Sequence, residues 1–283
     1  SDLGDILVLP ITGDMKFNPG TATDPDSGYR SRFSHDTEKA SPGYYSVVLE
    51  DYGVKAELTA TERVGVHKYT FPKGEGHILL DLKHGIYNYD GKVLWANLRV
   101  ENDTLLTGYR ITNGWARVNY THFAITFSKP IKSYGYQEMK PMAYNGMWRK
   151  FNIYRDFPEI GGRNVVAYFD FDLSDGEPLE VKVALSPMSA SGALNNLRVE
   201  TAGRSFDQLR KLAEQKWEDA LSVVEVEGDY DQICNIYSSL YHTMINPSIY
   251  MDYDGTYRGL DHEIHHADGF TNYTIFSVWD TYR

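Results

Sequence analysis

Val64-Gly-Val-His-Lys-Tyr-Thr-Phe71, the turn Pro72-Lys-Gly74, and Ile78-Leu-Leu-Asp-Leu82 together decide the fold. Apolar, β-branched and aromatic residues recur with period 2 on both sides of a Pro/Gly turn, the pattern of two strands joined by a short connection. The pattern extends upstream through Ile6-Leu-Val-Leu9, Tyr44-Tyr-Ser-Val-Val-Leu49 and Val54-Lys-Ala-Glu-Leu58. Downstream it continues in Val93–Val100, Trp115–Phe127, Val165–Phe171 and Leu179–Leu185. Asp51-Tyr-Gly53, Tyr89-Asp-Gly91, Asn113-Gly114, Gly161-Gly162 and Asp175-Gly176 supply the turns between them. Many short strands from residue 5 to about 200, without amphipathic helices among them, predict an antiparallel β-sandwich.

The period then changes. Ser205-Phe-Asp-Gln208 spells a capping box, in which the Ser hydroxyl and the Gln amide each satisfy an orphan backbone N–H. Phe206, Leu209, Leu212, Ala213, Ala220 and Leu221 follow at helical spacing. A second helix is expected after Gly228, with Tyr230, Ile233, Tyr237, Leu240, Tyr241 and Met244 on one stripe and Asn246-Pro247 ending it. The segment from Phe270 to Arg283 is read as a third helical candidate. The predicted order is a sandwich over residues 1–200, a linker helix over 201–228, and the opening of an all-α domain over 229–283.

Composition removes several functional classes. With 283 residues and 42% hydrophobic content the chain can bury a substantial core, and 14% aromatic residues exclude a disordered polymer. A net charge of −11 argues against a nucleic-acid surface, which needs clustered Lys and Arg. No apolar run is long enough to span a bilayer. Cys234 is the single cysteine, which excludes an internal disulfide framework. Ser1-Asp-Leu-Gly4 carries no signal-peptide pattern, and a strand at the start with an aromatic segment at the end predicts a piece of a longer chain.

Three constellations carry candidate chemistry. His262-Glu-Ile-His-His266 satisfies H-E-x-x-H, which in a zinc protease places two imidazoles one helical turn apart with Glu263 as base. Its Asp- and Gly-rich flank is a loop composition, so the pattern is read as coincidental. Asp252, Asp254, Asp261, Glu263 and Asp268 form an acidic run that lacks EF-hand spacing, and a solvated loop is the simpler reading. Trp279-Asp280 lies in an otherwise apolar segment. An indole face with an adjacent carboxylate suits a hexose, which stacks its apolar face and donates two hydroxyls; pairing of Asp280 with Arg283 is the structural alternative. G-x-S-x-G, Walker and G-x-G-x-x-G patterns are missing.

Leu240–Pro247, Asp252–Asp261 and Tyr273–Arg283 resemble successive signature blocks of glycoside hydrolase family 92, the calcium-dependent exo-α-mannosidases common in gut Bacteroidetes. Gly4–Gly13, Gly108–Arg117 and Phe127–Pro130 are similar to the same family's N-terminal sandwich, so the resemblance spans nearly the whole chain. It implies a β-sandwich joined by helices to an (α/α)6 barrel. It implies an inverting mechanism, of α-1,2 type here, that removes terminal mannose from glycans. The general acid and base, and the main Ca2+ ligands, are then expected beyond Arg283, so that this chain holds no catalytic residue or metal ligand and is inactive alone. By the same resemblance Asp280 binds hydroxyls of the terminal mannose with Trp279 beside it, while Arg258 and Asp261 are weaker candidates whose simpler role is to brace a loop. The implied partners are a mannose-containing glycan and the rest of the same polypeptide, in the periplasm, on the surface or outside of a Gram-negative bacterium. A non-catalytic carbohydrate-binding or adhesion sandwich is the alternative, and a zinc peptidase at His262–His266 the third.

Overall fold

The computed structural model describes residues 6–86, 89–114, 116–137 and 155–274. Fifteen strands and three α-helices follow one another along these residues. The strands are β1 (Leu7–Ile11), β2 (Lys39–Ser41), β3 (Tyr44–Leu49), β4 (Val54–Ala60), β5 (Val64–Thr70), β6 (Glu75–Asp81), β7 (Val93–Val100) and β8 (Leu105–Thr112). They continue with β9 (Asn119–Phe127), β10 (Ser133–Tyr136), β11 (Glu159–Gly162), β12 (Val166–Asp172), β13 (Leu179–Ser186), β14 (Thr256–Arg258) and β15 (Ile264–His266). The helices are α1 (Ala190–Thr201), α2 (Phe206–Leu221) and α3 (Tyr230–Met244).

Two antiparallel sheets face each other as a sandwich. One has nine strands in the order β11-β7-β8-β9-β13-β5-β4-β3-β2, the other four in the order β1-β6-β12-β10. Alternation assigns the faces: Phe123, Ile125 and Phe127 of β9 and Leu179, Val181 and Val183 of β13 enter the inter-sheet core, against Ile78, Leu80, Phe169 and Phe171 of the smaller sheet. Phe127 lies 5.0 Å from Phe171 and 5.9 Å from Phe169, so aromatic contacts tie the layers together.

The outer face of the nine-stranded sheet carries the helices. Val64, Val66, Ala124 and Ala184 pack there against Ala193 of α1 and Phe206 and Leu209 of α2. The capping box of α2 is complete, with Ser205 and Gln208 exchanging side-chain and backbone bonds. Ring contact between Trp217 and Tyr241, at 4.6 Å, brings α3 against α2.

Helix α1 was not expected from the sequence, and it occupies the stretch read as the end of the sandwich. The last strand closes at Ser186, and Ser189 caps the helix by accepting from the Gly192 N–H. Residues 270–274, the start of the third helical candidate, are extended instead: Tyr273 bridges Ile249, and Thr274 N–H donates to the Ser248 carbonyl (2.9 Å). Thr, Asn and Tyr there satisfy their backbone groups across a ladder rather than along a helix. The remainder of that candidate lies outside the described residues.

Candidate functional site

The end of the sandwich where β6 finishes and β7 begins concentrates cationic side chains around one carboxylate. Asp81, 2% exposed, accepts from the Tyr29 hydroxyl (2.9 Å) at one oxygen, and from the Lys83 and His84 N–H groups (2.7 and 3.2 Å) at the other. Burial first, and then Asp81, raise the Tyr29 hydroxyl well above the usual phenol range. Lys92 is 5% exposed and Arg110 is fully buried, on the inward row Leu106-Gly108-Arg110-Thr112 of β8. The Tyr89 hydroxyl donates to the Asn113 backbone carbonyl (2.9 Å) and reaches its side-chain oxygen, which fixes the entry to the β8–β9 connection. His84 is held below the ordinary imidazole range, by burial first and then by Arg110, Arg30 and Lys92 acting against Asp81.

These residues escaped the sequence reading. A charged residue at an inward position of a strand is the signal that finds Arg110, because Arg is almost never fully buried unless it is paired.

The second locus is the segment from Ile249 to Thr274, bound to the outer face of the large sheet and to α1. Its centre is Asp252, 1% exposed, which accepts from the Ser186 hydroxyl (2.7 Å) and the Asn196 amide (2.9 Å). The solvated-loop reading of the acidic run fails for this residue, whereas Asp254, Asp261, Glu263 and Asp268 are exposed. Burial pushes the Asp252 carboxyl up, against the two hydrogen bonds. Arg63 fastens the same segment through Nε to the Met251 carbonyl (2.7 Å) while its Nη1 pairs with Glu200 of α1 (2.6 Å).

Beyond Asp252 the chain forms the hairpin β14–β15, in which Thr256 pairs with His266 and Arg258 with Ile264. His262 has a positive φ of 67° at the turn, so His262 and His266 do not share a helical face. His265 Nε2 contacts Asp261 (2.9 Å), and His266 Nε2 contacts the Asp254 carbonyl (2.7 Å). Of the sequence candidates, Arg258 stacks over Tyr120 of β9 (4.9 Å to the ring centroid) and donates through Nη1 to the His262 carbonyl (2.8 Å). Asp261 accepts the Glu263 N–H (3.0 Å) and is held below the usual carboxylate range, by that bond first and then by His265. Both residues brace the hairpin. Trp279 and Asp280 lie outside the described residues.

Among the described residues no group of three or more His, Cys, Asp or Glu converges to hold an ion. Asp252 and Asp254 are each engaged, the latter by the Thr256 hydroxyl and N–H, so the described acids do not fit a Ca2+ cage. Among the described residues, no helix is long and apolar enough to cross a membrane.

The family model described as the glycosyl hydrolase family 92 N-terminal domain matches residues 1–186, and that of the family 92 catalytic domain matches residues 192–283. The solved family GH92 α-mannosidase BT3965 of Bacteroides thetaiotaomicron, in complex with mannoimidazole, is 44% identical with a TM-score of 0.90, and the match covers 100% of this chain and 36% of that one. The family GH92 inverting mannosidase BT2199 of the same organism is 26% identical with a TM-score of 0.79, over 98% of this chain and 35% of its own. An uncharacterized secreted glycosidase of Arthroderma benhamiae is 26% identical over 235 residues, 76% of this chain and 29% of that protein. The chain thus spans about a third of the length of these relatives. With both family models matched along the chain and the same architecture in the solved relatives, the chain belongs to glycoside hydrolase family 92.

Proposed function

We propose that the chain supplies the sandwich and opening helices of an inverting exo-α-mannosidase of α-1,2 type, acting on terminal mannose of glycans in the periplasm, on the surface or outside of a Gram-negative cell. The observation that carries this reading is the 44% identity, over the full chain, to an α-mannosidase solved with mannoimidazole bound. In an inverting glycosidase one carboxylic acid protonates the leaving oxygen while a carboxylate about 6.5–9.5 Å away activates water on the opposite face of the sugar. We assign both carboxyl groups, and the ligands of Ca2+, to residues beyond Arg283. When bound, the ion supplies coordination to sugar hydroxyls.

This chain's own share is binding and orientation. Asp280 accepts hydroxyls of the non-reducing mannose, and Trp279 covers its apolar face. The sandwich forms one wall of the site. In the full-length enzyme Asp280→Ala removes a charged partner of two hydroxyls and should lower kcat/KM by about 2–4 kcal/mol of transition-state binding. The 283 residues alone should not hydrolyse an aryl α-mannoside. Turnover by that piece refutes the division of labour, and an unchanged kcat/KM on Asp280→Ala refutes the role of Asp280. A full-length protein that binds mannosides without hydrolysing any would instead be a carbohydrate-binding module.

A further inference from the structure

Residues 248–274 follow α3 and lie on the outer face of the large sheet and on α1. Of these residues only Asp252 and Gly255 are buried, while Tyr253, Leu260, Ile264, Phe270 and Tyr273 are exposed. Among the described residues, none of the segment's side chains joins any of the three apolar clusters of the fold. Apolar burial therefore contributes little to holding the segment down.

What fastens it is polar and concentrated at residues 251–253. Asp252 accepts the Ser186 hydroxyl (2.7 Å) at the end of β13 and the Asn196 amide (2.9 Å) of α1. Asn196 in turn accepts the Tyr253 N–H (2.8 Å), and Arg63 Nε donates to the Met251 carbonyl (2.7 Å). Gly192 leaves the slot that the carboxylate fills, since a Cβ there would stand 2.2 Å from Asp252 Oδ2. Past that point the hydrogen bonds run within the segment. Gly259 N–H donates to the Glu263 carbonyl (2.9 Å), Ala267 N–H to the Gly255 carbonyl (2.9 Å), and Tyr250 N–H to the Asn272 carbonyl (2.9 Å). The hairpin β14–β15 meets the sheet through Arg258, stacked over Tyr120 at 4.9 Å.

Closure also carries a cost. His122 Nδ1, on the β9 residue that pairs with Ser186, and Arg258 Nε are buried and have no hydrogen-bond partner among the described residues. Burial lowers the His122 pKa against the hydrogen bond to the Ser186 backbone, and the Arg258 charge adds to the lowering. A buried polar atom without a partner is destabilising, and contact with water returns that free energy. Lifting the segment off Tyr120 gives both nitrogens that contact.

We propose that residues 248–274 form a strap that opens from the folded sandwich as one unit, with Asp252 as the bolt that holds it closed. A few polar bonds at one end favour the closed state, and two orphaned nitrogens oppose it. The open strap uncovers the Ser186–His122 end of the large sheet and leaves both sheets intact. Elements that move are drawn from such regions, with few buried apolar contacts and backbone bonds near solvent. The proposal does not depend on where a sugar binds.

Hydrogen exchange of the full-length protein, read by mass spectrometry on peptides, tests it. A two-stranded ladder cut loose from its body is marginal in water, so opening exposes the hairpin amides together with the Tyr253 N–H. In the parent, peptides of 248–274 should exchange faster than those of β9 and β13. Their rate should also be nearly flat in low urea, because local opening uncovers little surface. Asp252→Ala removes two hydrogen bonds of the closed state and should speed exchange across 248–274 by about 10- to 100-fold, while β9 and β13 stay protected over the same labelling times. Strap peptides that match β9 and β13 in rate and in urea dependence overturn the proposal, and packing of other parts of the chain over Leu260, Ile264 and Phe270 would give that result. A folded Asp252→Ala protein with parental strap exchange overturns it equally. Should Asp252→Ala fail to fold, Gly192→Ala fills the slot of the carboxylate and carries the same readouts with the same two refuting outcomes.

Discussion

Replacing Glu200 by alanine removes the acceptor on which the β4–β5 turn and α1 meet. Glu200 Oε1 pairs with Arg63 Nη1 at 2.6 Å, with side-chain exposures of 12% for Arg63 and 5% for Glu200. Its other oxygen accepts the Arg63 N–H (3.0 Å) and the Thr61 hydroxyl. The alanine variant leaves a nearly buried guanidinium without its counter-charge and orphans two further donors, while Arg63 Nε keeps the Met251 carbonyl. Breaking a buried pair from one side costs about 3–5 kcal/mol. The residual exposure of Arg63 lets water compensate in part, which places the expected loss near 3 kcal/mol, or about 6–12 °C in Tm for a domain of this size. Glu200→Gln keeps one acceptor and should lose only about 1–2 kcal/mol. Urea titration measures both as shifts in the midpoint at unchanged m. The Arg63→Ala/Glu200→Ala double variant should lose less than the two single losses combined, because no unpaired charge remains. A Glu200→Ala protein within about 1 kcal/mol of the parent would show that the pair is solvated in practice, and the reasoning would fail.

Gly192→Ala should destabilise by about 1–3 kcal/mol, although alanine is the better helix former by about 1 kcal/mol, because its Cβ meets the Asp252 carboxylate at 2.2 Å; a higher Tm would refute this. Phe123→Ala empties the middle of the inter-sheet core, where Phe123 is fully buried, and should cost about 3–5 kcal/mol in the same urea titration. Burial lowers His67 from its ordinary 6.5 to about 4 in the folded chain, beside the Tyr69 hydroxyl at 2.6 Å. The unfolded chain then takes up a proton that the folded one refuses, so this contribution is complete above pH 6.5 and falls away as the pH drops toward 4, by about 2–3 kcal/mol. His67→Gln should flatten the stability profile across that window, and an unchanged slope would assign the acid sensitivity to other groups.

Sequence patterning and structure agree where a segment's own residues decide its conformation. The alternation at Val64–Phe71 and Leu179–Leu185 reports a face buried against a sheet, and the Ser205/Gln208 box reports a helix start, because both signals are local. The site was less legible, since its meaning depends on partners far along the chain. Asp252 reads as one more acid in a turn-rich run; only Ser186, 66 residues earlier, and Asn196, 56 earlier, make it a buried hub. The same partners hid α1. Gly192 and Asn196 both weaken a helix relative to alanine, so the stretch reads poorly as one, yet each is required there: the glycine to admit the carboxylate and the asparagine to bind it. Local propensity is given up in α1 at the two positions where the helix holds Asp252. Places where good local rules fail together are where a fold is committed to something besides its own stability. Here that commitment is the fastening of residues 252–253 to the last sandwich strand and α1.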